Sequence, residues 1–159
     1  MIRFIAAIDD KYGIADDNGI PWQGKIPGDV DYYHRKITSG GTILMGYGLY
    51  LVLSKPYPGG INHVASRKDE ELSEGFELVK DARKFQIETQ GDIWNLGGAG
   101  LYASTIDQAD ELYLTRVNGD YNCTKFFPRF EDKFVLKSRE EPVSENGITY
   151  HFEVWVRKI

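Results

Sequence analysis

The chain has 159 residues, a length that fits one domain, and its 42% apolar share is ordinary for a protein with a proper core. A formal net charge of -5, with no basic stripe, argues against non-specific nucleic-acid binding. One cysteine, Cys123, excludes an internal disulfide framework, and three scattered histidines, His34, His63 and His151, make no metal-ligand spacing. The opening MIRFIAAIDDKYG has too short an apolar run for a signal peptide, and no run is long enough to cross a membrane. A cytoplasmic protein is therefore expected, with no membrane, nucleic-acid or obligate protein partner. No repeat, linker or low-complexity segment divides residues 1–159.

Ile2 to Ile8 is a nearly continuous apolar run, broken only by Arg3, and predicts a strand buried on both faces, as in a mostly parallel sheet. Within it, the small Ala6 and Ala7 serve tight packing against a helix, room for a ring stacked on the strand, or both. Asp16-Asp17-Asn18-Gly19 is a turn-rich loop that leads through Ile20-Pro21-Trp22. Pro27-Gly28-Asp29-Val30 reads as the start of a helix that runs to about Thr38 and is ended by Ser39-Gly40-Gly41. Asp29 falls in the first turn, where spacing alone makes it a cap or a dipole partner. A carboxylate beside Val30, Tyr32 and Tyr33 can also sit on the floor of an apolar pocket, where it is costly to leave unpaired. A flat heterocycle with an amidine-like N–C–N edge satisfies such a group with two parallel charge-assisted hydrogen bonds.

Thr42 to Gly46 predicts a second buried strand, and Gly46-Tyr47-Gly48-Leu49-Tyr50 a strand-to-helix turn whose free N–H groups suit a phosphate. Lys55 to Gly60, with two Pro and two Gly, is a loop. Asn62 to Ser66 is a third strand with Arg67 at its exit; by itself that Arg is a solvated charge beside Lys68. Phe76 to Val79 is a short strand. Asp81 to Thr89 is a helix with Ala82, Phe85 and Ile87 or Thr89 available to its inner face. From Asp92 a strand runs into Gly97-Gly98 and then a helix, and glycines let a pyrophosphate approach the backbone closely. The G-x-G-x-x-G order of a Rossmann site is missing, so that fold is rejected. Glu111 to Val117 is a clear strand, and Asn118 to Lys125 a polar loop closed by Phe126-Phe127-Pro128. Lys133 to Arg139 and Ile148 to Arg157 read as two antiparallel strands, with Asn146-Gly147 the turn between them.

The order I-P-W, a short gap, P-x-D and an aromatic pair resembles the dihydrofolate reductases. M-G at a strand end, S-R, G-G-x-x-x-Y, L-Y-L-T and T-x-F-x-P follow in the family's order, so the resemblance covers essentially the whole chain. It implies a single α/β domain: a central, mostly parallel sheet flanked by helices, with an antiparallel C-terminal edge. It implies NADPH-dependent reduction of 7,8-dihydrofolate to tetrahydrofolate. By the same resemblance Asp29 binds the pterin, Thr115 supports that carboxylate, and Trp22 and Tyr102 complete the catalytic set. Ile5, Ala6, Ala7, Ile20, Val30, Tyr33 and Leu96 line the substrate. Ala7, Ile14, Gly19 and Ile20 face the cofactor from the first strand and from a loop, Gly13 to Gly24, that closes over the nicotinamide. Gly46, Tyr47, Gly48 and Leu49 match one phosphate turn. Leu96, Gly97, Gly98, Ala99, Gly100, Leu101 and Tyr102 match the other, whose Gly–Gly bond is cis in the family. Ser66 and Arg67 match the pocket for a 2′-phosphate, and Thr124 completes the cofactor set.

The chain also departs from the family. Tyr47 and Leu49 stand where an Arg and a Thr serve the cofactor phosphates, and Gly100 stands where many members carry a basic residue. Gly60 replaces the Arg that forks the folate glutamate tail, a strong and directional contact; Lys36, Arg35 and Lys55 are the candidate replacements. With no second acid evident near Asp29, the proton for the ring nitrogen is expected through water. Two rival readings follow: a riboflavin-pathway pyrimidine reductase of the same fold, and a weakly active or inactive paralogue that binds folate or a nucleotide.

Overall fold

The computed structural model describes residues 1–159. In chain order the elements are β1 (Ile2–Ile8), β2 (Gly13–Ala15), α1 (Pro27–Ile37), β3 (Thr42–Gly46), α2 (Tyr47–Val52), β4 (Asn62–Ala65), β5 (Phe76–Val79), α3 (Ala82–Glu88), β6 (Ile93–Asn95), α4 (Ala99–Thr105), β7 (Glu111–Val117), β8 (Lys125–Phe126), β9 (Phe134–Arg139), β10 (Val143–Glu145) and β11 (Ile148–Arg157). Nine strands form one sheet in the order β10-β11-β7-β1-β6-β3-β4-β5, with β9 also paired to β11. All pairs from β7 to β5 are parallel, while β11 runs antiparallel to β7, β9 and β10. This is the mostly parallel sheet with an antiparallel C-terminal edge that the sequence predicts.

β1 lies inside the sheet, between β6 and β7, which explains its apolar run. Alternate residues of β1 go to opposite faces. Phe4 and Ile8 pack with Leu112, Leu114, Phe127, Phe130 and Phe134 on one side, and Ile5 packs with Tyr32, Ile37, Met45, Trp94 and Leu96 on the other. Phe130 is 1% exposed and meets Tyr12, Phe127 and Trp155 edge-on. Phe130→Ala is expected to cost about 3–5 kcal/mol in denaturant unfolding, because the cavity lies where little can collapse into it.

Three expectations are corrected. On α3, Ala82 and Phe85 pack inward as expected and Thr89 is half-buried, but Ile87 is 67% exposed and the buried place beside them goes to Gln86, 2% exposed. The buried amide is tolerated because Gln86 accepts from Asn95 at 2.9 Å and donates to Gln108 at 2.8 Å. Asn146-Gly147 joins β10 to β11, not β9 to β11: Glu145 faces Ile148 across the turn, with φ of 49° and 78° at the two turn residues. The predicted polar loop before Phe127 contains β8, which pairs antiparallel with β2 and ties the loop after β1 to the region after β7.

Candidate active site

The site is built where β1, β7 and the start of α1 meet. Pro27 opens α1 at the position where a missing N–H costs nothing, and Asp29 follows in the first turn. Ile26, the N-cap, has no side-chain acceptor to offer the free amides. Glu145 supplies one from the far end of the chain: its Oε1 accepts from Gly28 N at 3.0 Å. Thr115 on β7 donates to Asp29 Oδ1 at 2.6 Å, and the parallel register sets Ala7 of β1 beside Thr115. Burial pushes the Asp29 carboxyl above the usual carboxylate range; the Thr115 hydrogen bond opposes the push and the charge of Glu145 adds to it. A second acid therefore does stand near Asp29, contrary to the sequence expectation.

The aromatic pair after Asp29 splits. Tyr32 points into the core, stacked on Phe152 with centroids 3.9 Å apart. Tyr33 stays half-buried and donates to the Tyr57 hydroxyl at 3.3 Å. Burial holds the Tyr33 phenol well above its ordinary pKa, so it remains a neutral donor. Val30 and Ile20 are 43% and 46% exposed, apolar groups with little cover from the chain itself, while Ile5 and Leu96 are buried. Trp22 is also buried, edge-on to Tyr121 and packed with Ile26, Val117, Ile148 and Tyr150.

Glycines dominate the second half of the site. Gly46 N donates to Gly97 O at 2.7 Å, so the ends of β3 and β6 run together. The Gly97–Gly98 peptide is cis, and Gly97 has φ +75°. A Cβ on Gly97 would overlap the Tyr102 ring, whereas one on Gly48, Gly98 or Gly100 would meet open space. No side chain caps α2 or α4, which begin at Tyr47 and Ala99. Tyr102 is buried, and its hydroxyl donates to Ile5 O at 2.5 Å, which links α4 to β1. Beneath the turn, the fully buried Asn95 accepts from Gly97 N at 3.0 Å and donates to Gln86 and Thr105. Sequence reasoning missed Asn95; its one signal was an amide inside the apolar run Ile93 to Leu96.

The remaining predicted residues lie further out. Ile14 is half-buried against the core beside Tyr12. Asp16 and Gly19 bond each other's backbones in a tight turn, and Thr124 N donates to Ala15 O at 2.9 Å. Ser66 Oγ accepts from Lys68 N at 3.3 Å, and Arg67 is exposed. Tyr47 is half-buried beside Tyr50, and Leu49 packs under the same cluster; desolvation and a hydrogen bond to Glu70 push the Tyr47 phenol up. Of the three candidate tail cations, Lys36 is engaged over the rings of Tyr32 and Tyr113 at 5.4 and 5.5 Å, and Arg35 and Lys55 are exposed. Gly60 is exposed on a loop that Asn62 staples through Tyr57 N, Tyr57 O and Gly60 O. No group of three or more His, Cys, Asp or Glu side chains is placed to hold a metal ion, and no helix is long and apolar enough to cross a membrane.

Asp29, tied to β7, and the glycine junction that follows β3 and β6 thus lie on either side of the central strand β1. Residues 1–157 match the family model described as dihydrofolate reductase, and the chain belongs to that family. It is 31% identical over 156 residues to a protein of Bacillus subtilis named dihydrofolate reductase, covering 96% of this chain and 91% of that one. It is 32% identical over 132 residues to dihydrofolate reductase type 3 of Salmonella typhimurium, covering 82% and 80%. A protein of Mycoplasmoides gallisepticum named segregation and condensation protein A is 34% identical over 145 residues, 89% of this chain but 24% of that one.

Proposed function

We infer that the chain reduces 7,8-dihydrofolate to tetrahydrofolate, with NADPH as the hydride source. The observation that carries this reading is the Asp29 carboxylate, braced by Thr115 at 2.6 Å on the first turn of α1, with exposed apolar side chains beside it. One carboxylate oxygen takes the Thr115 proton donor, and both remain able to accept from the N–C–N edge of a pterin. Ile20, Val30 and Tyr33 then flank the ring, and Ala7 leaves it space against β1, while Ala6 packs on the opposite face of the strand. Ionised Asp29 orients the ring, and its charge favours the arrival of a proton at the pterin through solvent.

The glycine junction fits the backbone part of a dinucleotide. Gly48, Gly98 and Gly100 have open space where side chains would stand, so a pyrophosphate reaches the peptide groups at the starts of α2 and α4. When bound, NADPH supplies the hydride. Tyr102, fixed to Ile5 O, holds the turn against β1, and Ser66 with Arg67 receives a 2′-phosphate. The single cysteine agrees with a reducing, cytoplasmic setting. Nothing observed favours the riboflavin-pathway alternative.

The test is a paired assay. Absorbance of NADPH should fall when dihydrofolate is added, and kcat/KM with NADPH should exceed that with NADH by about tenfold or more, because Arg67 offers a charge-assisted fork to the extra phosphate. No turnover with either cofactor would leave a binding protein only and overturn the reading.

A further inference from the structure

The β10–β11 hairpin touches the start of α1 twice. Asn146 Nδ2 donates to Lys25 O at 2.7 Å, and Glu145 Oε1 accepts from Gly28 N at 3.0 Å. The Tyr150 hydroxyl donates to the same Glu145 oxygen. A Cβ on Gly28 would overlap the Tyr150 hydroxyl and stand 3.0 Å from Glu145 Oε1, so the close approach depends on glycine there. The carboxylate thus does for α1 what its own N-cap, Ile26, does not: it satisfies a free amide of the first turn and sets a negative charge at the positive end of the helix.

We propose that Glu145 is a positioning residue for Asp29, holding the turn that carries Asp29 and coupling its own charge to Asp29 ionisation. Glu145 is the charge whose effect on Asp29 is resolved; the cations of α1, Arg35 and Lys36, lie toward Tyr32. Around Asp29, β7 presents the neutral Thr115, β10 presents Glu145, β11 presents Tyr150, and α1 itself adds Asp31, Tyr32 and Tyr33. β1 presents apolar Ile5 and Ala7, while Ala6 packs with Phe4 and Ile8 on the other face of the strand. The side chain of Lys25 is exposed, and only its carbonyl enters the contact. Like charges disfavour joint ionisation, so ionised Glu145 keeps Asp29 protonated to higher pH, in the direction that burial also drives it. Helix geometry and proton affinity at one carboxyl are then set from a hairpin more than a hundred residues away in the chain.

The consequence for turnover rests on the reading of Asp29 as the pterin ligand; the coupling itself does not. Glu145→Gln keeps an oxygen acceptor for Gly28 N and the Tyr150 hydroxyl and removes the charge. Glu145→Asp keeps the charge on a shorter arm. The probe is the Asp29 carboxyl carbon in the ligand-free protein, followed by carbon NMR against pH, beside the pH profile of kcat/KM. Glu145→Gln should lower the Asp29 midpoint by about half a unit or more and move the acidic limb of the profile the same way. Its Tm should stay within a few degrees of the parent's, and Glu145→Asp should hold the midpoint nearer the parent than Glu145→Gln does. A midpoint the same in parent and Glu145→Gln, with Glu145→Asp also unmoved, overturns the proposal. A midpoint that falls while the pH profile stays put supports the coupling and removes Asp29 from the rate-determining chemistry instead.

Discussion

Asp29→Asn should lower kcat/KM for dihydrofolate by about a hundredfold to ten-thousandfold while the fold stands. The amide keeps the shape and still accepts from Thr115, but it loses the charge that anchors a guanidine-like edge and draws a proton toward the ring. The stability effect has the opposite sign. A carboxyl whose folded pKa is raised contributes stability below its ordinary range and loses it as pH rises through the folded value, so ionised Asp29 weighs against the fold near neutrality. Tm of Asp29→Asn at pH 7 should therefore equal or exceed that of the parent, and the difference should shrink on acidification. Thermal scans at pH 4 and 7 beside steady-state kinetics check both halves. Unchanged kinetics would sink the catalytic assignment, and a large Tm loss at pH 7 would show that the carboxylate is structural.

Gly97→Ala should be the most damaging single methyl group in the site. Its φ of +75° suits glycine, and the added carbon would overlap the Tyr102 ring. That ring is fixed at both ends, by packing against Phe4 and Phe127 and by its hydroxyl on Ile5 O. Backbone strain and overpacking together should cost about 2–4 kcal/mol, a Tm loss of roughly 5–15 °C for a chain of this size. Gly98→Ala separates structure from binding. Its Cβ meets nothing within 4 Å, so Tm should fall much less, yet the methyl group projects into the space offered to the cofactor. An NADPH KM raised about tenfold or more in Gly98→Ala, with dihydrofolate KM little changed, is expected; equal KM values in Gly98→Ala and parent would place the dinucleotide elsewhere.

Several strands were legible from short runs of apolar residues, even where a charge interrupts the run, as Arg3 does in β1 and the exposed Glu77 does in the edge strand β5. β1, β3, β5 and β7 match the expected limits residue for residue. The Asp29–Thr115 pair could be anticipated only through the family pattern, since 86 positions separate the two. The polar contacts that hold the site in place were hidden. Glu145 lies 117 positions from Gly28 in a stretch that reads as solvated turn, and Asn95 reads as a flaw in a strand until Gln86 and Thr105 satisfy it. Ile87 misled because helical spacing rewards apolar side chains, whereas the packed face of α3 here holds an amide with both partners supplied. Local patterns reveal what a residue prefers and say little about which distant residue will meet it.

The place of β1 has a consequence for how the molecule comes to exist. β1, Ile2–Ile8, lies between partners that begin far downstream of it, at Ile93 and Glu111. During synthesis at about 5–20 residues per second, more than eighty residues must leave the ribosome before β1 has a neighbour on either side. For those seconds β1 has no strand beside it, and both its hydrogen-bonding edges stay open until chain more than eighty residues downstream arrives.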